Sequence, residues 1–191
     1  MTPTATAKSS ARLLSLDVFR GATVAGMMMV NNPGSWSHIY PPFKHAAWNG
    51  WTFTDLIFPF FLWIVGVAMT FSFSKRVEQG ADRNKLMMHT FQRALSIFAI
   101  GLFLNGFPFG LIFGPEFSWG AIRIPGVLQR IAICYLVAGS IVLYTGRLGQ
   151  IRWTVAFLLV YWILIKTVPV PEFGAGVVDQ AKGSLAWYID S

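Results

Sequence analysis

The sequence predicts an all-α protein, a polytopic transmembrane helix bundle with five spans and its N-terminus in the cytoplasm. Three observations lead there. Of the 191 residues, 54% are hydrophobic and only 12% are charged, about half the charge of an ordinary soluble domain. Five stretches approach the ~20 mainly apolar residues that cross a bilayer as a helix. The basic residues also alternate from one side of those stretches to the other, as the positive-inside rule requires.

In chain order, residues 1–12 form a cytoplasmic tail and residues 13–170 the bundle, with spans at about 13–31, 51–73, 94–113, 125–145 and 153–170. The first span is the least apolar, because Asp17 and Arg20 interrupt it. The second is the clearest, almost wholly apolar from Leu56 to Ala68. The third is broken late by Asn105-Gly106-Phe107-Pro108, so its outer end is expected to be irregular. The fourth and fifth are continuous. Residues 171–191 read as an outer loop followed by the start of a further amphipathic segment, Ser184 to Asp190, which makes the chain a fragment of a longer bundle. The first span lacks a small-residue cleavage site after Val30 and reads as a retained helix, not a signal peptide.

Nine Lys and Arg residues fall on the tail side: Lys8, Arg12, Lys75, Arg76, Arg83, Lys85, Arg93, Arg147 and Arg152. Four fall on the other: Lys44, Arg123, Lys166 and Lys182. The net charge of +7 is therefore a topology signal, and no nucleic-acid partner is expected. The single cysteine, Cys134, cannot close an intramolecular disulfide and reads as an inert core residue. Phosphate-loop and dinucleotide glycine patterns are absent, and so is a serine-hydrolase elbow. His38 and His45 lack the companions of a zinc set, so no metal is expected. His89 reads as a solvated residue of the basic loop. Gly110 and Gly114 form a single small-residue packing pair.

Charges within spans are expensive in lipid and become candidates for function. Asp17 and Arg20 lie three apart on one helical face and can neutralise each other or receive a polar ligand from the cytoplasm. Near the outer ends of their spans lie Asp55, Gln129 and Arg130. A structural ion pair between Asp55 and Arg130 is one reading. With Asn31, Asn32, His45, Asn49 and Arg123 they form a polar cluster above an apolar bundle, the usual setting of a binding site. His45 stands out because imidazole is the side chain that serves as base and acid near neutrality. By position alone, a lone histidine at the interface is usually just an interfacial histidine.

Three blocks, in this order, carry a family resemblance: Leu16-Asp17-Val18-Phe19-Arg20-Gly21; Phe43-Lys44-His45-Ala46-Ala47-Trp48-Asn49-Gly50 with Asp55-Leu56-Ile57-Phe58-Pro59; and Arg123-Ile124-Pro125-Gly126-Val127-Leu128-Gln129-Arg130. Together they resemble the heparan-α-glucosaminide N-acetyltransferases and their bacterial relatives, well from Arg12 to Ile133 and loosely beyond. The resemblance implies a protein about twice as long, with about ten spans of ~20 residues each, of which this chain is the N-terminal half. It implies transfer of an acetyl group from cytosolic acetyl-CoA to an amino-sugar or glycan acceptor on the outer face. His45 takes the place of the family's active-site histidine, with Asn49 and Asp55 as the other catalytic candidates. Asp17, Arg20, Arg123, Gln129 and Arg130 are the candidates for holding acetyl-CoA. Only twelve residues precede the first span, which points to a bacterial-type member of the inner membrane without the animal enzyme's lumenal domain. The bilayer is the expected surrounding, and a homodimer is compatible with it. The competing class is a permease for small anions, which charged residues within a bundle and a broken span also suit. Dependence on a thioester separates the two.

Overall fold

The computed structural model describes residues 13–107 and 126–190. These form six α-helices: α1 (Leu14–Asn31), α2 (Phe53–Glu78), α3 (Arg83–Gly106), α4 (Val127–Tyr144), α5 (Arg147–Thr167) and α6 (Leu185–Asp190). A two-stranded hairpin, β1 (Pro169–Val170) and β2 (Gly174–Ala175), lies between the last two, and a 3-10 turn covers Pro41–Phe43. The all-α bundle expected from the sequence is what the chain forms. The tail 1–12 and the segment 108–125, which holds Arg123, Gly110 and Gly114, lie outside the described residues.

Among the described residues four helices, α2 to α5, are long and apolar enough to cross a membrane. α1 is 18 residues long, the length of α4, but Asp17, Arg20 and Asn31 dilute its apolar character. Each helix follows its apolar window without matching it. α2 runs on to Glu78 and α3 begins at Arg83, eleven residues before the expected span. The backbone gains its hydrogen bonds whether or not lipid surrounds it, so a helix ends where caps end it. His89 and Arg93 are accordingly helical, as are Arg147 and Arg152, where a loop was expected.

Those caps are local sequence chemistry. At the end of α2, Ala81 N–H donates to the Arg76 carbonyl and Gly80 N–H to that of Val77, both at 3.0 Å. This is the double bond of a Schellman motif, with Gly80 at φ +81° in the left-handed position. Asp82 then caps α3 by accepting from Asn84 N–H at 3.0 Å. At the other end of α3, Phe107 turns to an extended backbone (ψ 134°), the conformation that the following Pro108 favours.

Two compact units divide the chain, one made of residues up to His45 with Trp51–Ile64, the other of Ala46–Gly50 and Val65 onward. Within the first, Gly26 of α1 meets Ile57 of α2 so closely that a Cβ would stand 2.8 Å from the isoleucine Cδ1. The Phe19 ring lies 5.4 Å from that of Phe60 and 5.9 Å from that of Trp63. Ile64 is the most deeply buried apolar side chain.

Within the second unit α3 and α4 pack most extensively. Tyr144, at the end of α4, donates to Asn84 near the start of α3 at 2.9 Å, and Gly101 near the end of α3 abuts Leu128 near the start of α4, so the two run antiparallel. The core of this unit joins Met69 and Phe73, from the later part of α2, to Leu86 of α3 and Leu143 of α4. α5 has no buried residue. An apolar helix exposed all round fits lipid as its solvent and would be costly in water. Cys134 differs from the expected core position: it is exposed, because its face of α4 lines an open groove of about 510 Å³ beside α5, with Trp153 and Phe157 opposite. The expected outer loop after α5 contains the small hairpin, with Glu172 at φ 70° in its turn. The expected amphipathic start at Ser184 is α6, capped as Trp187 N–H donates to Ser184 Oγ at 3.2 Å.

Candidate active site

The site grows from the first turn of α2. Thr52 precedes the helix and Asp55 is its third residue, the spacing of a capping box. Thr52 N–H donates to Asp55 Oδ2 at 2.9 Å, satisfying a backbone donor that the helix leaves orphaned. The carboxylate also sits at the positive end of the α2 dipole, where a negative charge is favoured. Pro59, one turn on, has no N–H to return to the Asp55 carbonyl.

Capping occupies one carboxylate oxygen and aims the other. Asp55 Oδ1 lies 2.6 Å from Nδ1 of His45. The chain bearing His45 is brought there by three contacts. Lys44 N–H closes the 3-10 turn on the Pro41 carbonyl at 3.2 Å. The Phe43 ring packs 6.1 Å from that of Phe53. Thr52 Oγ1 donates to the Lys44 carbonyl at 2.6 Å and lies 3.0 Å from Asp55 Oδ2.

The chemistry follows from the donors. A carboxylate only accepts, so the short bond requires the proton on Nδ1. In the neutral ring the lone pair is then on Nε2, pointing away from the carboxylate. The imidazole side chain is 74% exposed and Asp55 27%. This is an oriented histidine with one nitrogen anchored and the other available to a ligand, the arrangement used for general base and nucleophilic work.

Asp17 and Arg20 do join, Arg20 donating to Asp17 Oδ1 at 2.7 Å, which is the self-neutralising pair on one helical face. Asn49 is exposed in the second unit, in the same short segment as Trp48, whose indole N–H donates to the Val178 carbonyl at 2.8 Å. Gln129 is buried in the first turn of α4, and its Nε2 has no hydrogen-bond partner among the described residues. Its side chain lies against Gly101 and Gly126, where a Cβ would meet its Oε1. Arg130 is exposed beside it. His38 turns to its neighbour Ser37, 3.0 Å away. Among the described residues no group of three or more His, Cys, Asp or Glu is placed to hold a metal. Thr52 was not singled out from the sequence, although the Thr-x-x-Asp spacing ahead of an apolar run was its available signal.

The family described as heparan-alpha-glucosaminide N-acetyltransferase, catalytic, matches residues 12–181. The chain belongs to this family. The mouse (Mus musculus) heparan-alpha-glucosaminide N-acetyltransferase is 38% identical over 133 residues, which are 69% of this chain and 19% of that protein. Its human (Homo sapiens) counterpart is 37% identical over 136 residues, 71% of this chain and 20% of that protein. The match therefore spans about a fifth of the length of each relative. Membership makes acetyltransferase chemistry the family's activity and supports an integral membrane protein, in keeping with the four apolar helices.

Proposed function

We propose that this chain carries the acyl-transfer centre of a multi-pass acetyltransferase that takes acetyl from cytosolic acetyl-CoA and delivers it to an amino-sugar or glycan acceptor across the membrane. The observation that carries the reading is the His45–Asp55 hydrogen bond of 2.6 Å, together with family membership over residues 12–181. The proposed topology has five spans, with the basic ends of α2, α3 and α5 in the cytoplasm and His45 on the outer face of a bacterial inner membrane.

Two routes use the same dyad. In one, His45 Nε2 attacks the thioester carbonyl. An N–C bond forms, the C–S bond breaks and coenzyme A leaves as its thiolate, while Asp55 stabilises the cationic ring. The acceptor amine then attacks the acyl-imidazole, loses a proton and releases the histidine. In the other, the acceptor attacks the thioester directly and Nε2 removes its proton as the C–N bond forms. Asn49 is the proposed donor to the oxyanion in either route. Arg20 with its partner Asp17, and separately Arg123, Gln129 and Arg130, are proposed contacts for acetyl-CoA, the arginines for its phosphates.

The test is release of free coenzyme A from acetyl-CoA by membranes containing the full-length protein and its His45→Ala variant. Thiol release in the wild type that disappears in the variant supports the reading. Thiol release unaffected by His45→Ala overturns the role of His45, and an absence of acetyl-CoA turnover in both returns the small-anion permease.

A further inference from the structure

We infer that Thr52 is a positioning residue of the acyl-transfer centre, its hydroxyl locking the His45-bearing chain to the Asp55 carboxylate. The inference rests on the reading of His45 as the transfer residue and adds a third member to its hydrogen-bonded set.

A threonine ahead of a helix ordinarily uses its side-chain oxygen to accept from a backbone N–H of the first turn. Here the cap is made the other way round. The Asp55 carboxylate accepts from Thr52 N–H at 2.9 Å, and Asp55 N–H is bonded to the Thr52 carbonyl at 3.2 Å. The hydroxyl is released from that duty. It donates to the Lys44 carbonyl at 2.6 Å, in the peptide unit that leads into His45, and stands 3.0 Å from Asp55 Oδ2. Both the histidine and its carboxylate therefore refer to one hydroxyl, His45 through the Lys44–His45 peptide and Asp55 by direct contact.

The consequence is geometric. His45 lies in a segment with no regular structure beyond the turn Pro41–Phe43, and its ring is mostly exposed. Burial does not hold the imidazole, so its place depends on the carboxylate and on the path of the backbone before it. Removing the hydroxyl frees the Lys44 carbonyl and lets the ring drift from Asp55 Oδ1. A misplacement of about 1 Å at a reacting group costs on the order of a hundredfold in rate. The helix cap survives, because it uses the Thr52 backbone N–H, which any non-proline residue supplies.

The experiment compares Thr52→Val, Thr52→Ala and Thr52→Ser with wild type and His45→Ala in full-length protein, reading kcat, KM for acetyl-CoA and thermal unfolding. Thr52→Val and Thr52→Ala are expected to lower kcat by about 10- to 100-fold with KM and unfolding temperature unchanged, and Thr52→Ser to restore kcat. A purely structural threonine would move the unfolding temperature and would not be rescued through serine alone. Wild-type kcat in Thr52→Val with an inactive His45→Ala overturns the inference and leaves the proposed function standing. Equal loss in the serine and valine variants also overturns it, because the hydroxyl would not be the cause. Full activity in His45→Ala removes the proposed function and the inference together.

Discussion

His45 and Asp55, ten residues apart in sequence, meet through Nδ1 and Oδ1 at 2.6 Å, with the other carboxylate oxygen fixed by the capping of α2. The bond divides the imidazole into an anchored and a working nitrogen. Replacing Asp55 with Asn keeps the size but allows the amide to donate, which favours the proton on the wrong ring nitrogen. Asp55→Asn is expected to lower kcat for acetyl transfer by about 10²- to 10⁴-fold, with a smaller change in KM for acetyl-CoA. Steady-state kinetics at several acetyl-CoA concentrations check it.

Gln129 offers a test that separates stability from ligand contact. Its Nε2 is buried with no partner among the described residues, and such a group costs about 1–3 kcal/mol when left unsatisfied. Methionine has nearly its shape and no donor. Gln129→Met is expected to leave the unfolding temperature unchanged or raise it, while raising KM for acetyl-CoA. An unchanged KM would remove Gln129 from the acetyl-CoA contacts.

Packing of α3 on α4 depends on the smallness of Gly139. A Cβ there would stand 2.8 Å from Thr90 Cγ2, and overpacking of this kind costs about 1–3 kcal/mol. Gly139→Ala is expected to lower the unfolding temperature in detergent, and Thr90→Ser in the same chain to recover most of it. Serine lacks the clashing methyl and keeps the hydroxyl that Thr90 donates to the Leu86 carbonyl at 2.8 Å.

Much of the fold was legible in the chain because lipid imposes a coarse constraint. Apolar windows longer than a bilayer half located α2 to α5, and Asp55 and His45 were visible as polar residues at the ends of apolar runs. The helix limits were less legible. α3 begins at Arg83 because Asp82 caps it, a local bond that hydropathy does not register. The exposure of Cys134 was also hidden, since it depends on how widely α4 and α5 splay. Asp55 read equally well as a partner for Arg130 or an orienter of His45. Only the path of residues 40–45, set by the 3-10 turn and the Phe43–Phe53 contact, brings the imidazole to it. The Thr-x-x-Asp spacing marks Thr52 as a cap, but its bond to the Lys44 carbonyl uses a backbone atom with no sequence signature.

The proposed topology can be read by labelling. In a Cys134→Ser background, a cysteine at Lys85 is expected to resist a membrane-impermeant maleimide applied from outside, and one at Lys182 to react. The reverse pattern would invert the membrane orientation and place His45 on the acetyl-CoA side.

The central claim is that His45 performs acetyl transfer. The most direct measurement follows radiolabelled acetyl from acetyl-CoA to glucosamine in membranes containing the full-length protein, wild type and His45→Ala side by side. The account predicts labelled N-acetylglucosamine with the wild type and background counts with the variant at equal membrane expression. Equal labelling by both proteins would contradict it.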